Sequence, residues 1–237
     1  MTEKKKVSLI INGKNCVVPE GTTLLDAARS VGIEIPVICL HDATTPKGLC
    51  RQCVVEIEGQ GRLAPSCITP AEEGQVVRTE SERVVRVRRT ILEMLNASTD
   101  LSRAPELQQQ MEDYGADPQR FPGAKKRQHA LLDDNPFYVR DYSQCILCWR
   151  CVQACADDIQ FTYALAVGGR GHDSHIATFY DLPMPETTCV FCGNCVAVCP
   201  TKALQGKTEY LLEQGLQQDE IRARRRQERQ EKGANYE

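Results

Sequence analysis

Lys6 to Ile11 has the alternation of a strand, Asn12-Gly13 supplies a two-residue turn, and Asn15 to Val18 resumes the pattern, so the segment reads as a hairpin. Past Gly21, Thr22 or Thr23 is placed to cap a helix that carries Leu24, Leu25, Ala27 and Ala28 toward Gly32. Further strands are predicted from Cys53 to Glu58, near Leu63 after a turn at Gly59 to Gly61, and from Gln75 to Thr79. A hairpin, one helix and further strands suit a small mixed sheet covered by a single helix.

The pattern changes at Ser81. Val84, Val85, Val87, Ile91, Leu92 and Leu95 fall at helical spacing with arginines between them. Leu101 to Leu132 is polar and is broken by Pro105, Pro118 and Pro122, which reads as a connector of short helical pieces and loops. Between Phe161 and Pro185, His175 to Tyr180 is predicted as a strand of an inserted hairpin. Beyond Gln205 the chain turns into a charged, helix-like tail with Arg222, Arg224, Arg225, Arg226 and Arg229. The predicted boundaries are 1–80 for the sheet domain, 81–140 for the connector, 141–207 for the next domain and 208–237 for the tail.

Composition narrows the possible functions. Across 237 residues, 29 Lys and Arg face 32 Asp and Glu for a net charge of −3, and aromatics make up 5%. That balance offers no basic field for nucleic acid, and few rings on which bases could stack. The N-terminus lacks the apolar core and cleavage site of a secretory signal, and no run approaches the length needed to span a bilayer. A cytoplasmic protein without direct membrane insertion is expected.

Thirteen cysteines then become the main chemical signal, because thiols in a reducing compartment are poorly explained by disulfides. Eight of them form a repeat: Cys145-Ile-Leu-Cys148-Trp-Arg-Cys151-Val-Gln-Ala-Cys155 answers Cys189-Val-Phe-Cys192-Gly-Asn-Cys195-Val-Ala-Val-Cys199-Pro200. Each copy has the C-x2-C-x2-C-x3-C form of two-cluster ferredoxins, in which the fourth cysteine serves the other cluster. The spacing assigns Cys145, Cys148, Cys151 and Cys199 to one 4Fe-4S cluster, and Cys189, Cys192, Cys195 and Cys155 to a second. Zinc is the competing reading, but two adjacent cysteine triplets exceed what a tetrahedral ion uses.

Cys39, Cys50, Cys53 and Cys67 follow the spacing C-x10-C-x2-C-x13-C inside the sheet domain. Four thiolates supply two ligands for each iron of a 2Fe-2S cluster, although the first loop is longer than in plant-type ferredoxins. Gly48, beside Cys50, can let backbone N–H groups approach the sulfurs.

These residues carry a family resemblance. Cys39-Leu-His41, Gly48-Leu-Cys50-Arg-Gln-Cys53-Val-Val-Glu56-Ile-Glu58-Gly59 and Ser66-Cys67 resemble the 2Fe-2S loop that opens three kinds of subunit. These are the large iron–sulfur subunit of complex I, the alpha subunit of NAD-dependent formate dehydrogenase and the small diaphorase subunit of NAD-reducing hydrogenase. Arg140-Asp141-Tyr142-Ser143-Gln144-Cys145 and Val198-Cys199-Pro200-Thr201-Lys202-Ala203-Leu204, then Lys207-Thr-Glu209-Tyr210, resemble the formate dehydrogenase version most. The resemblance implies an α+β chain with an N-terminal β-grasp 2Fe-2S ferredoxin domain, a helical connector and a C-terminal two-cluster 4Fe-4S ferredoxin-like domain. It implies an electron-transfer subunit of an NAD-linked oxidoreductase, with a flavin- and NADH-oxidising partner and a separate catalytic subunit of molybdopterin or hydrogenase type.

Two departures from the family pattern stand out. The family carries a further 4Fe-4S cluster between these domains, held by one histidine and three cysteines, whereas residues 68–144 contain no cysteine. The formate dehydrogenase subunit continues into a molybdopterin domain, so a molybdenum or tungsten centre is expected on another polypeptide. A freestanding ferredoxin-like carrier and a zinc-stabilised scaffold are the readings from other classes.

Other candidates read more plainly. Cys16 lies on an apolar strand and is expected to be a buried structural thiol. His41 suits packing near Cys39; His172, Asp173 and His175 suit a solvated loop; Gly168-Gly169-Arg170-Gly171 lacks a phosphate-loop signature and reads as a turn. Trp149 either shields a cluster from water or simply packs, and the arginine-rich tail either docks on an acidic partner or is a solvated helix.

Overall fold

A computed structural model describes residues 5–233. The N-terminal hairpin forms as predicted: β1 (Lys6–Ile11) and β2 (Lys14–Pro19) run antiparallel with Leu9 opposite Cys16. The Thr23 hydroxyl caps α1 (Leu24–Ser30), accepting from the Asp26 N–H at 3.1 Å. Then come β3 (Val54–Ile57), β4 (Ala64–Pro65) and β5 (Val76–Arg78). The sheet order is β2-β1-β5-β3-β4, with β1 and β5 parallel and the other pairs antiparallel. A parallel central pair cannot be joined by a tight turn, and the chain between its strands includes α1, which covers the sheet. Val7, Leu9, Ile11, Val18, Leu24, Leu25, Val55 and Val77 form the core, and Cys53 and Cys67 are buried within it.

Cys16 belongs to the same core, 1% exposed, with its thiol donating to the Ala27 carbonyl at 3.3 Å. It is a packing residue, as its strand position suggested.

The chain divides into two compact units: one holds the described residues to Lys126 together with Cys148–Arg150, the other holds Arg127–Leu147 and the described residues from Cys151. Of the 81–140 stretch read as a connector, α2 (Glu82–Ser98) and α3 (Pro105–Asp113) therefore lie in the first unit and 127–140 in the second. Ser81 caps α2, and Val84, Arg88 and Leu92 are all fully buried on one face.

In the second unit β6 (Tyr138–Arg140) pairs antiparallel with β9 (Leu204–Gly206), closing the two ends of the cysteine-bearing segment. α4 (Arg150–Gln153) runs into a widened π-helical turn at Ala154–Asp158, and α5 (Asn194–Ala197) is its counterpart in the second repeat. The inserted hairpin consists of β7 (Ala166–Gly168) and β8 (His175–Ala177). The predicted strand thus stops three residues before Tyr180. There the Thr178 hydroxyl donates to the Leu182 carbonyl at 2.5 Å, and Tyr180 turns into the left-handed region at φ 51°. The tail forms two helices, α6 (Lys207–Glu213) and α7 (Gln218–Gly233), separated at Gly215, whose φ of 89° suits glycine alone.

Ile221 of α7 is buried, Arg225 donates to the Thr208 hydroxyl at 2.6 Å, and Arg224 lies 3.9 Å from Asp133, so part of the arginine run is spent within the unit. The Arg229 side chain and the extreme N-terminal residues on which the leader reading rested lie outside the described residues. Among the described residues, no helix is long and apolar enough to cross a membrane.

Candidate metal centres

Cys39, Cys50, Cys53 and Cys67 come together as two pairs. Cys39 lies on the long loop after α1, Cys50 and Cys53 on the approach to β3, and Cys67 just past β4. The Cys53 and Cys67 sulfurs are 3.3 Å apart, and the Cys50 N–H donates to the Cys39 sulfur at 3.4 Å. Two thiolates on one tetrahedral metal at about 2.3 Å stand under about 4 Å apart. A two-plus-two arrangement therefore fits two irons with two thiolates each.

Protonation follows the same pairing. Hydrogen bonding to Cys50, and then burial, pushes the Cys39 thiol up, while accepting from Cys39 pulls Cys50 down to about 5. Hydrogen bonding to Cys53 and burial push Cys67 up, while Cys53 falls to about 7 through its bond with Cys67. Each pair thus holds one ready thiolate and one proton that a metal displaces. In iron-free protein kept reduced, Cys50 should be alkylated faster than Cys195 at pH 7. Its rate should fall as pH drops through about 5, where the thiolate regains its proton. Peptide mapping after iodoacetamide treatment across pH checks this.

Gly48 has φ +61°, and a Cβ there would stand 2.6 Å from Ile68 Cδ1. Gly48→Ala should cost about 1–2 kcal/mol from the left-handed backbone alone. Ile68→Ala, by clearing the contact, should restore only the steric part. Thermal loss of the 2Fe-2S absorption in the two single variants and the double variant reads out both terms.

In the second unit, Cys155 from the first repeat and Cys189, Cys192 and Cys195 from the second line one cavity with Tyr138, Leu165 and Met184. Burial first, then the neighbouring sulfurs of Cys155, Cys189 and Cys192, push the Cys195 thiol up to about 12. Four thiols in so apolar a cavity cannot all ionise without a cationic centre among them. Cys145, Cys151 and Cys199 belong to this unit as well, whereas Cys148, in the loop between the first two, groups with the first unit. Burial raises the Tyr142 hydroxyl; Arg140 opposes that rise, and Cys151 and Cys145 add to it.

The two cysteine loops share one backbone shape. Leu147 and Trp149 have φ of 55° and 70°, and Phe191 and Gly193 have 55° and 78°. The Leu147 N–H donates to the Cys145 sulfur at 3.4 Å, and the Phe191 N–H does the same to Cys189 at 3.4 Å. Left-handed residues turn successive N–H groups toward one point, the arrangement that cradles an anionic centre.

Several residues with a place at these sites left little trace in the spacing. Tyr138 sets its hydroxyl 3.2 Å from the Cys189 sulfur, and Thr162 sets its hydroxyl 3.4 Å from Cys155. The Ser66 hydroxyl donates to the Cys53 carbonyl at 2.7 Å. Arg88 did leave a signal, an arginine spaced four residues from Val84 and from Leu92 on an apolar helix face.

The candidates read plainly stay plain. His41 Nδ1 accepts from the Ala43 N–H at 3.1 Å. His175 Nδ1 lies 2.9 Å from the Asp173 carbonyl, and its ring centroid is 5.6 Å from that of His129. Gly169 and Gly171 form a turn at φ 69° and 57°, and Trp149 is 42% exposed, so it shields only in part. Among the described residues, no three His, Cys, Asp or Glu side chains are gathered for a single metal ion.

Sheet, paired thiols and thiol-lined cavity define a modular iron–sulfur protein, with a 2Fe-2S module ahead of a 4Fe-4S dicluster module. Residues 4–82 match the 2Fe-2S iron-sulfur cluster binding domain and residues 144–203 the 4Fe-4S dicluster domain. The chain is 37% identical over 219 residues to the NADP-reducing hydrogenase subunit HndD of Solidesulfovibrio fructosivorans, covering 87% of this chain and 37% of that protein. It is 38% identical over 208 residues to the NADPH-Fe(3+) oxidoreductase subunit alpha of Geobacter sulfurreducens, covering 85% of this chain and 24% of that one. It thus spans between 24% and 37% of the length of these two curated relatives.

A chain in the crystal structure of the NAD+-reducing [NiFe]-hydrogenase in the H2-reduced state superposes with a TM-score of 0.74 at 31% identity, covering 85% of this chain and 87% of that one. The protein belongs to the family of iron–sulfur subunits shared by complex I and the NAD-reducing hydrogenases.

Proposed function

We propose that this chain is a one-electron relay of an NAD(P)-linked oxidoreductase, passing electrons between a flavin-bearing, nicotinamide-oxidising partner and a catalytic partner. In this reading Cys39, Cys50, Cys53 and Cys67 hold one 2Fe-2S cluster. Cys145, Cys148, Cys151 and Cys199 hold one 4Fe-4S cluster, and Cys155, Cys189, Cys192 and Cys195 hold the other. The observation that carries it is the cavity lined by cysteines of both repeats, the crossing that the two-cluster spacing requires. The clusters supply reversible one-electron storage; the protein supplies the thiolates, the N–H groups that meet the sulfurs and the exclusion of water.

Plant-type 2Fe-2S centres lie near about −400 mV, so the substrate at the far end of the chain should be a strong reductant. The formate dehydrogenase-like motifs around Cys145 and Cys199 favour formate as that substrate. A second reading, hydrogen, is favoured by the hydrogenases among the relatives. Isolating the native complex anaerobically and adding formate or hydrogen, with the cluster signals and NAD or NADP reduction followed, decides between them. Reduction by formate alone supports the first reading, and reduction by hydrogen alone supports the second. A purified chain with no catalytic partner and no response to either would leave the freestanding carrier.

A further inference from the structure

We infer that Arg88 is a positioning residue of the 2Fe-2S centre, gripping the backbone on both sides of Cys53 and biasing the centre toward its reduced form. This rests on reading Cys39, Cys50, Cys53 and Cys67 as the ligands. Arg88 is 0% exposed on the buried face of α2, between Val84 and Leu92. Its Nε donates to the Gln52 carbonyl at 3.0 Å and its Nη2 to the Val54 carbonyl at 3.0 Å, the residues immediately before and after Cys53. Nη1 donates to Glu80 at 2.5 Å and to the Tyr114 hydroxyl at 2.8 Å.

The sheet explains why an arginine stands where an aliphatic side chain would pack. Gln52 lies in the turn just before β3 and Val54 opens the strand, and β5 serves that edge of β3 only from Glu56, opposite Arg78, onward. The guanidinium fork takes over where β5 ends and satisfies both carbonyls at once, which an ammonium cannot do with the same rigidity. On the opposite edge, the Cys53 carbonyl is held by the Ser66 hydroxyl at 2.7 Å and the Ser66 N–H at 3.2 Å. The ligand-bearing residue is therefore clamped from both sides.

Charge is the second consequence. One-electron reduction adds a negative charge to the cluster, and a cation shielded from water acts on it far more strongly than one at the surface. Glu80, the counter-charge, is half exposed and screened, so Arg88 leaves a net positive bias beside Cys53.

The test is a redox titration of the full purified chain, with the 2Fe-2S signal as readout and the 4Fe-4S signals as internal control. In Arg88→Gln, one-electron reduction of the 2Fe-2S centre should become about tenfold less favourable, about 59 mV. Arg88→Lys, which keeps the charge, should return the midpoint toward wild type while the centre is lost at lower temperature. Glu80→Gln, which removes the opposing charge, should move the midpoint upward. An unchanged midpoint in Arg88→Gln overturns the inference. If that variant does not hold the centre, an unchanged midpoint in Glu80→Gln overturns it instead. Wild-type protein without any 2Fe-2S signal would bring down the ligand reading itself, a result distinct from a normal centre indifferent to Arg88.

Discussion

Cys155→Ala should remove the same cluster as Cys192→Ala, although Cys155 belongs to the first repeat in sequence. If the fourth ligands cross, either single variant loses one 4Fe-4S centre and falls from about ten irons per chain to about six. The double variant should then stay at about six, because both ligands serve one cluster. Were each repeat to close on itself, the double variant would fall to about two. The structure favours the first outcome on local grounds. The widened turn at Ala154–Asp158 is followed by Thr162 and Tyr163, whose N–H groups bond back to the Cys155 carbonyl at 3.0 and 3.1 Å. That fold-back sets Cys155 in the cavity of Cys189, Cys192 and Cys195. Cys151→Ala combined with Cys199→Ala makes the reciprocal test. Iron and acid-labile sulfide analysis of anaerobically prepared protein, with the 2Fe-2S signal unchanged as control, reads out every arm.

Much of this was legible in the chain because spacing carries it. The β1–β2 hairpin, the Thr23 cap and α2 follow from alternation, a capping hydroxyl and helical periodicity acting over six or more residues. The β6–β9 pair was not legible: three-residue strands are too short to show a period, and their partners lie more than sixty residues apart. The end of β8 at Ala177 was missed because aromatic side chains favour strands, whereas the hydroxyl of Thr178 closes a turn that no periodicity announces.

The site divides in the same way. Cysteine spacing pointed to which thiols to group, but the two-plus-two pairing of Cys39 with Cys50 and Cys53 with Cys67 needs three-dimensional proximity. So do the hydroxyls of Tyr138, which reaches the Cys189 sulfur across a long sequence separation, and of Thr162, which meets Cys155 only because the chain folds back after the widened turn. The 81–140 connector read as one stretch because the helix after Ser81 leads into the polar, proline-broken run from Leu101 to Leu132 with no sign of a boundary. Its division between the two units depends on Arg88, Tyr114 and the β6 pairing, all of them contacts across long sequence separations.

Cys67→Ala should abolish the 2Fe-2S centre, leave both 4Fe-4S signals in place, and open the long loop before β3 to protease. Cys53 and Cys67 lie in one core and Cys145, Cys151 and Cys195 in another, so loss of the 2Fe-2S centre has no reason to unmake the second unit. Residues 31–53 contain neither helix nor strand, a length of irregular chain that is rarely stable without an anchor. Ile35 and Ile38 are buried and pin its first half, but Thr45, Pro46, Lys47, Leu49 and Arg51 are exposed around the two cysteines of the second half.

Two irons joining Cys39 and Cys50 to Cys53 and Cys67 would tie that half to β3 and to the segment after β4. Without them, local opening should become easier by about 1.4 kcal/mol or more, and tryptic cutting after Lys47 and Arg51 about tenfold faster. Limited proteolysis of the variant and wild type under anaerobic conditions, with fragments assigned by mass, measures the difference. Equal cutting rates with the 2Fe-2S signal gone would mean that Ile35, Ile38 and the Arg88 clamp hold the loop by packing alone. The cluster would then be a passenger on a preformed scaffold, and its potential would be set by a backbone already in place before iron arrives.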